Sequence, residues 1–244
     1  MTMIRCEDVK KYFPGRPEPV KAVDGVSLEI SKGDSFGIVG ESGCGKTTLG
    51  KLVLGILKPD SGRIIRSTDR IQVVFQDPYN SLDPKMRVFD VLAEGLVIRH
   101  SSFVNRHSYD VRQKVENILD LIRLPKTALK KYPHQFSGGE RQRIAIGRAV
   151  LTSPEFIVCD EPVSSLDVTI QLEILKLLKS IQSRLGITYL FISHDLKVIK
   201  FICNKVAVMH SGGIIESGDT EAVYKNPSRE YTRKLLSSSL TIVG

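Results

Sequence analysis

Gly40-Glu41-Ser42-Gly43-Cys44-Gly45-Lys46-Thr47 fits the pattern GxxxxGK(S/T), and its neighbours decide the fold. The compact apolar run Ser35–Val39 leads into it, and a helical pattern over about Lys46–Leu57 leaves it, stopping before Lys58-Pro59. Strand, glycine-rich loop and helix in that order are the context that gives the pattern its meaning. The glycines let the backbone wrap closely around phosphates, so that its N–H groups donate to them. The helix N-terminus adds partial positive charge. In that setting Lys46 reaches the β- and γ-phosphates, and Thr47 offers its hydroxyl to Mg²⁺. A chance glycine-rich turn has no reason to be flanked in this way.

Working outward, Ile71–Phe75, Phe156–Cys159 and Tyr189–Ile192 are further short apolar runs, suited to strands buried on both faces. The first residues, Val26–Ile30 and Val206–His210 are also strand-like, and Ser211-Gly212-Gly213 makes Val206–Ser217 a hairpin. A helix is expected from near Ser137 to about Thr152, before Pro154. Another covers Thr169–Leu185, with apolar positions at 172, 174, 175, 178 and 181 and Gly186 as its stop. Strands alternating with helices predict an α/β fold with a largely parallel sheet. Residues 86–136 break that alternation: they hold no convincing strand and two helical patterns, Val88–Ile98 and Tyr109–Ile122. They are read as a helical insertion, spanning about 86–150 with the helix that follows. From about Asn226 to residue 244 the chain is a helical tail.

The 244 residues suffice for a large core without disulfide or metal staples. The formal charge of +8 is compatible with nucleic acid, an anionic membrane surface or polyphosphate, and equally with a well-solvated basic protein. Lys and Arg are spread along the chain, which weakens the nucleic-acid reading. Cys6, Cys44, Cys159 and Cys203 form no CxxC pair and no metal-like cluster, and they suggest reduced thiols in a cytosolic protein. The N-terminal residues lack the apolar stretch of a signal peptide. No run approaches the ~18 apolar residues that span a bilayer, so a membrane role is expected to come through a partner.

Two further segments carry chemistry. Phe156-Ile157-Val158-Cys159 ends in Asp160-Glu161, an apolar strand running into two acids. Asp160 is placed to hold Mg²⁺ and Glu161 to polarise an attacking water as general base. Phe136-Ser137-Gly138-Gly139-Glu140-Arg141-Gln142-Arg143 opens a helix, with Ser137 as its cap and Glu140 at the capping-box position. Capping does not explain Gly138-Gly139, since glycine in a first turn costs about 1 kcal/mol each against alanine. Exposed N–H groups beside two glycines make a second phosphate site. Because the helical insertion separates it from the first, its nucleotide would come from another subunit.

At this point the chain resembles the ABC transporter ATP-binding subunits. Ser137–Arg143 is similar to the ABC signature, commonly LSGGQ, and the other motifs follow in the family's order. Gln76 in Val74-Phe75-Gln76-Asp77-Pro78 resembles the Q-loop, Ser164-Ser165-Leu166-Asp167 the D-loop, and His194 in Phe191-Ile192-Ser193-His194-Asp195 the switch histidine. Phe13 or its neighbour Tyr12 resembles the aromatic that stacks on adenine, and spacing from Val9 favours Phe13. Singly these motifs have plain explanations: a polar loop residue, a helix cap at Asp167, a core or capping histidine, core aromatics. Their joint order over residues 3–237 makes the resemblance specific. It implies a P-loop NTPase core of the RecA-like type with an N-terminal antiparallel β subdomain and an inserted helical subdomain.

The resemblance also implies a mechanism. ATP would lie between two head-to-tail subunits, with Gly40, Glu41, Ser42, Gly43, Cys44, Gly45, Lys46, Thr47 and Thr48 binding phosphates in cis. Ser137, Gly138, Gly139 and Glu140 would close on the partner's γ-phosphate. Glu161, His194, Lys46 and Gln76 would be catalytic. Thr47, Gln76 and Asp160 would serve Mg²⁺, and Asp167 would meet the opposite phosphate loop. The strings Val74–Pro84, Tyr132–Gly139, Asp160–Val168 and Asn226–Leu236 look like the dipeptide, oligopeptide and nickel importers. That family implies a second, commonly different ATPase subunit (a homodimer is also possible), two transmembrane permease subunits and, indirectly, an extracytoplasmic solute-binding protein. It places the chain peripherally on the cytoplasmic face of the membrane, with no nucleic-acid partner.

Glu140 departs from the commoner Gln, Ser165 from Ala, and Gly62–Ile71 is shorter than in most relatives. The tail lacks a cysteine-rich extension, so no iron–sulfur cluster is expected. None of these departures removes a catalytic group. Cys44 sits inside the phosphate loop, where a thiol reagent would block ATP, although nothing in the sequence marks it as reactive. Two other readings use the same motifs. A soluble ABC ATPase acting on nucleic acid or ribosomes usually carries paired ATPase domains or long coiled-coil or zinc insertions, which are not seen. A non-hydrolysing regulatory subunit would not need Glu161 and His194. Peptide, nickel and metallophore cargo are not separated by this chain.

Overall fold

Why Ser35–Val39 and its counterparts lie at the centre is clear from their burial in the computed structural model, which describes residues 1–77, 81–99 and 108–240. The strands are β1 (Thr2–Phe13), β2 (Val20–Ser31), β3 (Ser35–Val39), β4 (Ser61–Arg66), β5 (Ile71–Val74), β6 (Phe156–Asp160), β7 (Thr188–Ser193), β8 (Lys205–His210) and β9 (Gly213–Asp219). Every residue of β3 and β7 is buried, as are the first four of β6. Such strands need partners on both edges and cover on both faces. They find them in a six-stranded sheet ordered β5-β6-β7-β3-β8-β9, parallel except for the final hairpin. A separate three-stranded antiparallel sheet, β2-β1-β4, packs beside it.

The main helices are α1 (Lys46–Leu54), α2 (Val88–Arg99), α3 (Tyr109–Ile122), α4 (Gly138–Leu151), α5 (Val168–Leu185), α6 (Leu196–Ile202), α7 (Thr220–Lys225) and α8 (Glu230–Leu240). Between β5 and β6 the described chain is helical, including two short 3₁₀ turns at Lys126–Lys130 and Pro133–Gln135. α4 is the hub of this region: a Cβ on its Gly147 would lie 2.9 Å from Ile122 and 3.2 Å from Leu92, so glycine permits close approach to α3 and α2 together. One hydrophobic cluster joins these helices to α5 and the sheet; a second joins the antiparallel sheet to α1 and the opposite sheet face.

Three details differ from the sequence expectation. α1 ends at Leu54 rather than Leu57, because Gly55 turns left-handed (φ 80°) and donates to Leu52 and Lys51. The guanidinium of Arg66 reinforces this end by donating to the carbonyls of Val53 and Leu52 at 2.7 and 2.6 Å. β4 was not anticipated, since its largely exposed residues lack an apolar alternation and it exists by pairing with β1. α6 and α7 are too short for periodicity to reveal. The tail is helical over Glu230–Leu240; residues 241–244, and Pro78–Asn80 of the string Val74–Pro84, lie outside the described residues.

Asp34 joins three of these strands. Its carboxylate accepts from the Ser31 N–H at 3.0 Å, Asn204 at 3.1 Å and Lys205 at 2.9 Å. Burial opposes its ionisation, but the bonds from Lys205, Asn204 and Ser31 outweigh that and hold its pKa below the ordinary carboxylate value. Asp34→Ala is expected to cost about 2 kcal/mol at neutral pH, read from the urea midpoint. A depressed carboxyl pKa contributes stability above the unfolded value and loses it as pH falls through the native one. The difference between parent and variant therefore narrows in acid; a gap independent of pH would assign the cost to packing alone.

Candidate functional site

The loop from Gly40 to Thr47 connects the end of β3 to α1 and is shaped from outside as well as within. Gly40, Gly43 and Gly45 adopt φ of 155°, 83° and 110°. A Cβ on Gly45 would stand 1.9 Å from the Ala22 carbonyl oxygen, a contact with backbone that no rotamer relieves. The turn between β8 and β9 holds the loop's other side, with the Gly212 N–H donating to the Cys44 carbonyl at 3.0 Å. Lys46 is 5% exposed and folds back into the loop, donating to the carbonyls of Gly40 and Glu41 at 2.8 Å each. Cys44 is buried in the same loop, with its sulfur 3.8 Å from Lys46 Nζ. Thr48 follows on α1.

Thr47 Oγ1 donates to Asp160 Oδ1 at 3.2 Å across 113 residues of sequence. Burial raises the Asp160 pKa, with the Thr47 bond opposing and the adjacent Glu161 charge adding to the rise. These oxygens suit Mg²⁺, which typically takes one or two protein carboxylates and completes its shell with substrate phosphates and water. Among the described residues no group of three or more His, Cys, Asp or Glu converges as an all-protein metal cage.

Glu161 follows directly in a left-handed conformation, φ 49°, uncommon for a residue with a Cβ and often found where function requires it. Two neighbours hold it there. Its N–H donates to the Ile192 carbonyl at 2.9 Å, and its carbonyl accepts from Ser164 N at 3.3 Å and Ser164 Oγ at 3.2 Å. The turn aims the carboxylate at His194, whose Nδ1 lies 2.9 Å from Glu161 Oε1. His194 stands just beyond β7, and Asp195 beside it caps α6 by accepting from Lys197 N at 2.7 Å. One continuous group thus forms from residues far apart in sequence: Lys46, Thr47, Asp160, Glu161 and His194.

The remaining expected residues are placed by other elements, and β5 carries Gln76 past the end of β6, since Val74 pairs with Cys159 just before Asp160. Gln76 and Asp77 are exposed on the loop after β5. Phe13 ends β1 with Lys11 Nζ 5.8 Å from its ring, whereas the Tyr12 hydroxyl is engaged by Asp24 at 2.6 Å. Ser137 caps α4 and forms a reciprocal capping box with Glu140: the Glu140 N–H reaches Ser137 Oγ at 3.3 Å, and the Ser137 N–H reaches Glu140 Oε2 at 2.8 Å. The two glycines have a packing role that the sequence did not reveal. A Cβ on Gly139 would lie 2.5 Å from Ile170, and one on Gly138 would lie 3.2 Å from Leu166. They bring the Ser137 turn against the segment of Asp167, which caps α5 through Ile170 N at 3.0 Å. No hydrogen bond among the described residues joins Ser137–Glu140 to the Lys46 loop of the same chain. The holders of the site that sequence reading missed are Ala22, Gly212, Ile192 and Ser164. Only Ser164, three residues after Glu161, left a local signal.

Comparison with known proteins places these features among relatives. The family model for ABC transporters matches residues 23–164. The oligopeptide transport ATP-binding protein OppF of Streptococcus mutans is 44% identical over 252 residues, covering 97% of this chain and 81% of that protein. Among solved structures, cbiO1 from Clostridium perfringens, part of the ABC transporter complex cbiONQ, is 29% identical with a TM-score of 0.80, covering 92% of this chain and 91% of its own. A dimeric bacterial ABC transporter cassette, MJ0796, is 25% identical with a TM-score of 0.77, covering 89% and 99%.

Proposed function

Since the chain belongs to the ABC transporter family, we propose that it is the ATP-binding and ATP-hydrolysing subunit of a peptide importer, working as one half of a nucleotide-clamped pair. The carrying observation is the division of the site. The phosphate loop, Asp160, Glu161 and His194 form one connected group, while the Ser137 turn faces outward elsewhere on the same chain. A relative named for oligopeptide transport supports the cargo class, and a similar dimeric cassette supports the pairing.

In this reading Gly40–Thr48 cradle the β- and γ-phosphates with backbone N–H groups, and Lys46 turns its ammonium from Gly40 and Glu41 toward them. Thr47, Asp160 and Gln76 would hold Mg²⁺, which supplies charge neutralisation on the phosphate oxygens when bound. Glu161 accepts a proton from the attacking water, and His194, 2.9 Å from it, orients that carboxylate and contacts the γ-phosphate. Phe13 stacks on the adenine. Ser137, Gly138, Gly139 and Glu140 donate to the γ-phosphate held by the second subunit, and Asp167 meets that subunit's phosphate loop. Most of the catalysis is preorganised electrostatics. Loss of the γ-phosphate loosens the pair, and Gln76 with the helical insertion carries that motion to permease subunits. No described helix is long and apolar enough to cross a membrane, so attachment to the cytoplasmic face comes through those permeases.

Ser137→Arg separates the two halves of this reading. The variant is expected to bind MgATP on its own loop with parental affinity, at a cost of about 1 kcal/mol from the lost cap. It should nevertheless fail to pair on ATP addition and fail to drive peptide uptake in vesicles carrying the assembled transporter. ATP-dependent pairing at the parental level, measured by light scattering, would exclude the Ser137 turn from the clamp.

A further inference from the structure

Helices α7 and α8, with the tail string Asn226–Leu236 running from the end of one into the other, have no part in the nucleotide chemistry above, yet the structure ties them to the loop before Lys46 and to the segment just after His194. The start of the string is secured first. Glu216 on β9 accepts from Ser228 N at 2.7 Å, Ser228 Oγ at 2.8 Å and Arg229 N at 3.3 Å, and Arg229 Nε donates to the Ile215 carbonyl at 3.2 Å. From that anchor α8 presents Tyr231 to the phosphate loop. The ring lies 4.1 Å from the His210 ring, and the hydroxyl accepts from the Glu41 N–H at 3.4 Å. Glu41 is the residue whose carbonyl also holds Lys46. At the other end, α7 sends the Tyr224 hydroxyl to the Leu196 carbonyl at 2.6 Å, two residues beyond His194. The body of α8 is held by Leu236 and Thr232, which are buried.

We propose that the C-terminal segment is a brace for the nucleotide site, in which Tyr231 positions the phosphate loop at Glu41 and Tyr224 positions the His194 loop at Leu196. Neither tyrosine touches nucleotide; both are positioning residues. Two loops that must meet the same phosphate are held by one short stretch of chain, so their separation is set before nucleotide arrives. Preorganisation of this kind improves affinity by removing the cost of ordering the loop on binding. Burial raises the pKa of both phenols, with burial the largest cause in each, so the hydroxyls stay protonated through the neutral range.

The inference rests on the reading of the Lys46 loop and His194 as the γ-phosphate site, and the test keeps the two apart. In the purified full-length chain, Tyr231→Phe keeps the ring on His210 and removes only the hydroxyl. It is expected to weaken MgATP binding about threefold to tenfold, the range of one lost hydrogen bond, with Tm unchanged. Tyr231→Leu should weaken MgATP no further while lowering Tm. Tyr224→Phe should lower turnover by a similar factor with KM for ATP unchanged. Should Tyr231→Phe bind MgATP like the parent while only Tyr231→Leu is weakened, ring packing explains the contact and the brace is wrong. Lys46→Ala serves as the reference: if it too binds MgATP normally, the underlying site assignment fails rather than the brace.

Discussion

Glu161→Gln is expected to reduce ATP turnover by about 10²–10⁴-fold, the contribution of a positioned general base, and to leave an ATP-bound pair that no longer comes apart. The structure gives reasons to expect a clean result. The left-handed backbone at residue 161 is held by its own N–H on Ile192 and by Ser164 on its carbonyl, neither of which involves the side chain. Glutamine has the same size and still offers an oxygen toward His194 Nδ1, now 2.9 Å from the carboxylate. What disappears is the capacity to accept a proton. Binding and pairing draw on the Lys46 loop and the Ser137 turn, and both survive. Phosphate release in a single turnover, followed alongside the pair's mass by light scattering, reads the two effects separately. Turnover within a factor of two of the parent would take Glu161 out of the base role.

Lys46→Ala should lower MgATP affinity by about 100-fold. Charged hydrogen bonds contribute roughly 1.5–3 kcal/mol, and a factor of 100 corresponds to about 2.7 kcal/mol. The side chain is nearly enclosed, and without phosphate its ammonium is satisfied by the Gly40 and Glu41 carbonyls. Binding therefore exchanges two neutral acceptors for an anionic one, and alanine forfeits the difference as well as the loop's internal tie. Lys46→Arg is not expected to restore binding, because a planar guanidinium presents its donors in a wider fork than this enclosed position accommodates. Isothermal titration of the folded variants with MgATP decides the matter, and an affinity within threefold of the parent for alanine would overturn the assignment of the Lys46 loop as the phosphate site.

Much of this site was legible in one dimension because its parts are local. Gly40–Thr47 requires only a strand before it and a helix after it, and β3 and α1 supply both. The Ser137–Glu140 capping box is a three-residue relation and appears as written. Asp167 and Gly186 delimit α5 by the same short-range logic. Failures cluster where a segment is defined by a distant partner. β4 has little apolar pattern and is a strand only because β1 lies beside it. The end of α1 is decided partly by Arg66, which reaches back from β4.

By itself the order of amino acids determined the α/β class, the glycine-rich loop between β3 and α1, the acids at the strand end and the family to which the chain belongs, since each is built from short local motifs whose sequence along the chain can be read directly. Tertiary structure alone decided that Thr47 meets Asp160, that Glu161 meets His194 and that the tail reaches Glu41. Those meetings depend on the order in which strands enter the sheet, with β7 lying between β6 and β3. Strand order is set by burial of whole faces over the entire chain, a sum to which no short stretch contributes a readable share.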